Sequence, residues 1–188
     1  MTGVQTCALP ISQIDLTETF QFVELCAQLG IKILNTSAGS PYYTPHLQRP
    51  AAYPPSDGYQ PAHDPLIDVA RQINVVRQIK ARAPQGLVLV GTAYSYLQEY
   101  LPHVAQHVIR NGWTDMIGIG RVVLSYPAIL ADAVANGALT MKFICRTFSD
   151  CTTAPRNGLI SGCYPLDRHY TAKPDFLKLK EIKKSVGA

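Results

Sequence analysis

Two short turns in the chain combine glycine with groups that could bind an anion. One turn holds Gly91 and Thr92 after an apolar run, and the other holds Gly120 and Arg121 after a second apolar run. Glycine lets a ligand approach the backbone closely, and arginine adds a charge-assisted contact to a phosphate. The spacing is compatible with a phosphate site at these two turns. The alternative is that the glycines only permit tight turns and that Arg121 pairs with a carboxylate.

The elements that must position these turns alternate between strand and helix. Three apolar segments have strand length: 31–37, 87–90 and 115–120. Apolar spacing and boundary residues predict helices over 15–29, 65–79, 95–111, 125–136 and 173–186. This alternation is typical of parallel strands that helices cover on both faces. The predicted fold class is therefore α/β, with a parallel sheet or barrel.

One connection is unusually long for a compact domain. The stretch from residue 38 to Pro65 holds seven of the fourteen prolines and four tyrosines. Rigid prolines and large aromatic rings favour an ordered loop, and a long ordered loop at the carboxyl end of a strand is often functional. A structural or subunit-contact role is the alternative.

Composition excludes several classes of protein. The chain has 188 residues, 47% of them hydrophobic and 16% charged, with a net charge of +4. These values predict one globular core rather than a disordered chain. No apolar run has the length of a membrane span, and the lysines concentrate near the C-terminus rather than on a basic face. We therefore expect neither nucleic acid nor membrane as a partner, and leave the oligomeric state open.

Two strings of residues resemble a known enzyme family. Leu34 to Tyr43 reads Leu-Asn-Thr-Ser-Ala-Gly-Ser-Pro-Tyr-Tyr, and Asp115 to Arg121 reads Asp-Met-Ile-Gly-Ile-Gly-Arg. With the Gly91 turn, they resemble strands six to eight of the old yellow enzyme family, the FMN-dependent NADH:flavin oxidoreductases. The resemblance covers roughly Leu16 to the C-terminus. It implies a (β/α)₈ TIM barrel, FMN as cofactor, NADH or NADPH as reductant and a small-molecule substrate.

The resemblance also assigns roles to individual residues. It implies that Gly91, Thr92 and Gly120 donate backbone N–H groups to the FMN phosphate, and that Arg121 pairs with that phosphate. In the family, the flavin-ring and substrate contacts lie on the first five strands, so the chain is expected to be a C-terminal fragment. We therefore assign no catalytic residue and expect the chain alone to be inactive. Tyr42 and Tyr43 either line the substrate opening or pack within the long loop.

Three cysteines cluster near the C-terminus, at Cys145, Cys151 and Cys163. The 2,4-dienoyl-CoA reductase branch of the family carries four cysteines there that hold a [4Fe-4S] cluster. Here Thr147 or Phe148 stands at the second ligand position, and such clusters normally need four thiolates. We therefore favour a loop without a metal, with a three-cysteine cluster as the alternative. A zinc site that adds His169 fits no compact zinc motif.

These inferences divide the chain into three parts. Residues 1–12 resemble a translated sequencing adapter, residues 13–140 form the partial FMN-binding barrel, and residues 141–188 form the cysteine-bearing loop and terminal helix. The predicted enzyme is a cytoplasmic oxidoreductase that reduces an activated alkene or similar acceptor. The alternatives are another phosphate-binding TIM-barrel enzyme and a non-catalytic module that binds a partner through the long loop. Two open sheet edges also predict poor solubility.

Overall fold

The computed structural model describes residues 14–185, so the adapter-like residues 1–12 lie outside the described part. The fold is mixed α/β, with about 51% helix and one parallel sheet of three strands. The strands are β1 (Ile33–Thr36), β2 (Val88–Gly91) and β3 (Met116–Ile117), in the spatial order β1-β2-β3. Thr36 pairs with Gly91, and Gly91 pairs with Ile117, so the carboxyl ends of all three strands meet at one edge.

Eight α-helices cover or follow the sheet within residues 14–185. They are α1 (Thr17–Gln28), α2 (Pro45–Gln48), α3 (Pro65–Arg82), α4 (Leu101–Arg110), α5 (Ile129–Asn136), α6 (Asp150–Arg156), α7 (Arg168–Thr171) and α8 (Asp175–Ser185). The three predicted strands and the helices α1, α3, α5 and α8 are confirmed within a few residues of the expected ends. Asp64 caps α3 by accepting a hydrogen bond from the Leu66 N–H, and Pro65 occupies the first turn.

The segment after β2 begins differently from the prediction. Instead of one helix capped by Ser95, a 3₁₀ segment runs over Tyr94–Tyr100 and the α-helix starts only at Leu101. Gln98, with φ of 51°, interrupts the 3₁₀ segment. Pro102 in the first turn needs no hydrogen-bond partner for its nitrogen, so the helix begins there.

The main core lies between the sheet and the helices α1 and α3. Val23, Ile79 and Leu89 are each at most 3% exposed and pack in one apolar cluster. A second cluster places Tyr94 and Val108 beneath the 3₁₀ segment and α4. These clusters fix the strand ends and the turns that follow them.

The long loop packs against the cysteine-bearing segment near α6. The Ala52 N–H donates to the Thr147 hydroxyl, the Ser56 N–H donates to the Thr153 hydroxyl, and Arg156 pairs with Asp57. The loop is therefore ordered by contacts nearly a hundred residues away in sequence. Within residues 14–185 the sheet has two open edges, at β1 and β3, and these residues do not form a closed barrel.

Candidate anion-binding site

A cavity of about 420 Å³ opens at the carboxyl edge of the sheet. Because the three strands are parallel neighbours, the turns that follow them converge there, which is where α/β folds bind their ligands. Its lining includes residues from β1, from the turns after β2 and β3, from the loop after α2 and from the segment before α6: Asn35, Arg49, Thr92, Gly120, Arg121 and Thr147.

Three of the four predicted cofactor-binding residues line this cavity: Thr92, Gly120 and Arg121. The Thr92 hydroxyl donates to the carbonyl of Thr36 at 2.9 Å, which ties the turn after β2 to the end of β1. The structure thus brings together two turns that lie nearly thirty residues apart in sequence.

Gly91, the fourth predicted cofactor-binding residue, does not line the cavity. Its N–H donates to the Thr114 hydroxyl at 3.1 Å, so this group already has a partner within the protein rather than being a free donor. A Cβ atom at Gly91 would lie 3.2 Å from the Tyr94 hydroxyl oxygen and 3.4 Å from that of Thr114. Close packing beneath the turn, rather than ligand approach, explains the glycine here.

The turn after β3 brings bare backbone to the cavity. A Cβ atom at Gly118 would lie 3.2 Å from side-chain carbons of both Val90 and Thr92, so β3 could not approach β2 as closely with a larger residue. A Cβ atom at Gly120 would meet no heavy atom within 4 Å, because Gly120 faces open space. Backbone at Gly120 is accessible to a ligand, as phosphate binding requires.

Two guanidinium groups converge at the cavity. Arg49 and Arg121 each donate through Nη1 to the hydroxyl oxygen of Thr152, at 2.8 and 3.2 Å. Neither arginine forms an ion pair with a carboxylate of residues 14–185. Two cations therefore share one neutral acceptor. The carboxylate partner considered for Arg121 from sequence is absent from the described part of the chain.

The surroundings lower the pKa of both arginines. Desolvation by the surrounding protein, and then the charge of Arg49, lower the pKa of Arg121 to about 10. Burial lowers the pKa of Arg49 as well. Arg121 still carries its charge at neutral pH, because a pKa of about 10 lies well above 7. An arginine guanidinium is not deprotonated in proteins near neutral pH, so Arg49 is charged as well. The site thus holds two mutually repelling positive charges, which a bound dianion would compensate.

Arg49 is not among the ligand-binding residues predicted from the sequence. It follows α2 in the proline-rich loop and lies 72 positions before Arg121. No local pattern marks it as a ligand, because its role depends on how the loop packs against α6. A charged residue in a long ordered loop at a strand's carboxyl end is the one signal that could have suggested it.

The three C-terminal cysteines line a second, small cavity beside Arg121. Burial raises the pKa of the Cys145 thiol and raises that of Cys163 to about 11. Both thiols are therefore protonated at neutral pH. Cys151 lies at the edge nearest the arginines, with its sulfur 4.0 Å from Nη2 of Arg49.

These cysteines do not form a ready site for a [4Fe-4S] cluster. The cavity between them measures about 20 Å³, which is room for about one water molecule. Phe148, at the expected position of the second ligand, packs its ring against Tyr53 at 5.6 Å. The residues present thus offer three thiols around too small a space, and His169 is not part of the lining. We derive no step through a cluster.

A separate polar cluster joins the long loop to α3. Asp68, fully buried, accepts hydrogen bonds from His46 Nδ1, His63 Nε2 and Arg71 Nη1, each at 2.8 Å. The ligand atoms of His46, His63 and Asp68 lie within 4.8 Å of one another, as metal ligands would. Arg71, however, already supplies the positive charge that compensates the carboxylate. We therefore interpret the cluster as a hydrogen-bonded support for the loop.

The tyrosines predicted near the substrate opening do not line these cavities. Tyr42 and Tyr43 are 86% and 74% exposed, and neither lines a cavity described above. Tyr59 contacts this region of the loop, donating its hydroxyl to the Tyr43 carbonyl.

Comparison with known proteins leaves the family unassigned. The chain matches no protein-family model, no curated protein and no solved structure. Within residues 14–185, no helix has both the length and the apolar character needed to cross a bilayer.

Proposed function

We propose that this chain provides the phosphate-binding part of an FMN-dependent NAD(P)H oxidoreductase of the old yellow enzyme type. The observation that carries the proposal is the pair Arg49 and Arg121 at the edge where the strand ends meet, two cations that have no carboxylate partner among residues 14–185. The motif resemblance at Leu34–Tyr43 and Asp115–Arg121 supports the choice of FMN among phosphate-bearing ligands.

The charges at the site match a phosphate monoester. Two guanidinium groups balance the double negative charge that such a phosphate carries near neutral pH. Each can donate two parallel N–H groups to phosphate oxygens, which fixes orientation as well as affinity. Gly120 would contribute its accessible backbone.

In this proposal, the protein groups orient and FMN supplies the redox chemistry. Bound FMN would accept a hydride from NADH or NADPH and pass it to an electron-poor alkene or similar acceptor. Arg49, Arg121 and Gly120 would anchor the phosphate end, and the cavity past Asn35 and Thr92 would direct the rest of the molecule along the strand ends. The open edges at β1 and β3 fit a sheet that continues into a barrel in the complete enzyme.

Discrimination between FMN and riboflavin tests the proposal, because the two differ only in the phosphate. With the complete 188-residue chain, isothermal titration should give tighter binding of FMN than of riboflavin. Arg121→Ala should weaken FMN binding by about 10- to 100-fold, which corresponds to ~1.5–3 kcal/mol for hydrogen bonds to a charged group, and leave riboflavin binding unchanged.

Arg77→Ala provides the matched control, because Arg77 lies on the outer face of α3 and contacts Asn74 and Trp113 instead of the cavity. Equal affinities for FMN and riboflavin would contradict the proposal. Inorganic phosphate that binds in an Arg121-dependent manner, without flavin binding, would favour the alternative of another phosphate-binding barrel enzyme. If the wild-type chain binds neither flavin nor inorganic phosphate, the alternative of a partner-binding module is favoured.

A further inference from the structure

The helix α3 carries two fully buried polar side chains toward α2, Asp68 and Gln72. Burying an uncompensated carboxylate or amide is costly, so both need a complete set of partners. Asp68 accepts from His46 of α2 and from His63 in the loop just before α3, as well as from Arg71. We refer to Asp68, Gln72 and the loop groups that they bind as the α3 clasp.

Gln72 binds the loop through its backbone. Its Nε2 donates to the carbonyls of Leu47 and Ala38 at 2.7 and 2.8 Å, and its Oε1 accepts from the Ala38 N–H at 2.9 Å. One amide thereby joins the beginning of the loop, just after β1, to the end of α2. Every donor and acceptor of this side chain is used except one lone pair of the oxygen.

The clasp fixes the element that ends at Arg49. A helix as short as α2, with four residues, has no stability of its own, so its orientation depends on tertiary contacts. Those contacts reach His46 and Leu47, two of its four residues. Arg49 is the next residue after α2, and its N–H donates to the carbonyl of Pro45. The direction in which Arg49 leaves the helix is therefore set by the clasp.

We propose that Asp68 is a positioning residue for the anion site: through His46 it holds α2 so that the Arg49 guanidinium meets Arg121 on the ligand phosphate. The inference rests on the proposed function. It assigns to a buried carboxylate that contacts neither ligand nor cavity a defined effect on phosphate affinity. The effect passes through Arg49, the charged residue that directly follows α2.

A double-mutant cycle between Asp68→Asn and Arg49→Met tests this pathway. The measured quantity is the ratio of riboflavin to FMN dissociation constants, which isolates the phosphate contribution. Asp68→Asn should lower this ratio by about tenfold in the wild-type background, the equivalent of about one charge-assisted hydrogen bond. In the Arg49→Met background it should have no further effect. A general loss of structure would instead weaken the binding of both flavins, and this weakening would also occur in the Arg49→Met background.

Two further variants sharpen the cycle. Asp115→Asn is the matched control, because Asp115 is likewise a hydrogen-bonded carboxylate, with Lys80 and the Leu89 N–H as its donors. It lies before β3, at the end of the sheet opposite the cavity, so the ratio in this variant should equal that of the wild type. His46→Phe keeps the ring but removes the Nδ1 donor, so it deletes only the α2 arm of the clasp and leaves His63 and Arg71 on Asp68. It should lower the ratio even if Asp68→Asn fails to fold. An unchanged ratio in His46→Phe, or equal losses in both backgrounds, would overturn the proposal.

Hydrogen exchange separates failure of this inference from failure of the proposed function. If the wild-type chain does not prefer FMN, the proposed function is wrong. The clasp is then tested by exchange of the Leu47 and Arg49 N–H groups, which donate to Thr44 and Pro45. His46→Phe should speed their exchange by at least tenfold while the Leu89 N–H in β2 stays protected. Unchanged protection at Leu47 and Arg49 would contradict the positioning role.

Discussion

At the scale of single residues, the rim of the candidate site holds unusual backbone conformations. Ala93, Thr147 and Ser149 have φ values of 74°, 55° and 63°, in the left-handed region that residues other than glycine rarely adopt. Ala93 and Thr147 line the cavity at the strand ends, and Ser149 contributes to the small cysteine cavity. Such strain concentrates at functional sites, where the surrounding structure enforces it.

Ala93→Gly should therefore raise stability. Glycine removes the strain of an alanine held in the left-handed region, and this gain exceeds the entropy that glycine adds to the unfolded chain. The free energy of unfolding should therefore rise by about 0.5–1 kcal/mol. Urea denaturation measures the change. Ala105→Gly, in the interior of α4, is the control and should lower stability by about 1 kcal/mol. A loss of stability in Ala93→Gly would show that the backbone at this turn is not strained.

Burial of the thiols leads to a second prediction at this scale. Because burial raises the pKa of Cys163 to about 11 and also that of Cys145, the thiolate fraction of both is small at pH 8. Iodoacetamide should therefore modify them at least tenfold more slowly in the native chain than in urea. Peptide mass spectrometry assigns the rates to each cysteine. Rapid native alkylation of Cys163 would be incompatible with its buried position.

At the scale of elements, the sequence predicted what local patterns determine. Apolar periodicity identified α1 and α3, and Asp64 followed by Pro65 marked the start of α3 correctly. The position of Arg49 could not be predicted, because it depends on the docking of the long loop on α6 and on a four-residue helix that only tertiary contacts stabilise. The same holds for the occupied N–H of Gly91, whose partner Thr114 lies 23 residues away.

The α3 clasp should make stability depend on acid pH. Burial alone would raise the pKa of Asp68, but hydrogen bonds from His46, His63 and Arg71 outweigh it and hold the pKa below 3.8. A carboxyl whose pKa is depressed in the folded state stabilises the fold above its unfolded pKa and loses this effect as pH falls through the folded value. Asp68→Asn should therefore be less stable than the wild type by about 3 kcal/mol at pH 7.

That difference should shrink as pH falls below about 3.8, the unfolded-state pKa of an aspartate. Urea titrations of both proteins at pH 7, 5, 4 and 3 measure it. A difference that stays constant or grows below pH 4 would mean that the Asp68 carboxylate is not stabilised by its three partners.

At the scale of the whole molecule, the sheet has an unpaired strand at each side within residues 14–185. The outer strand β1 exposes Ile33, which is 59% accessible, and β3 exposes Met116, which is 51% accessible. Unpaired edges with apolar side chains promote association between chains. The chain alone should therefore self-associate at micromolar concentration in analytical ultracentrifugation.

Ile33→Lys should reduce this association, because a charge on an edge strand opposes pairing with another edge. Ile160→Lys is the control: Ile160 is 55% exposed but lies in a loop rather than on the sheet. If both lysine variants reduce association equally, general surface hydrophobicity rather than the β1 edge is responsible.

The proposed function requires Arg49 and Arg121 to bind a phosphate dianion together at the strand ends. Phosphorus-31 NMR of FMN titrated with the chain observes that phosphate directly. We expect a shifted and broadened phosphate resonance at pH 7, and a resonance close to that of free FMN when Arg49→Met or Arg121→Ala replaces the wild type. A wild-type titration in which flavin fluorescence is quenched while the phosphorus resonance stays at its free position would contradict it.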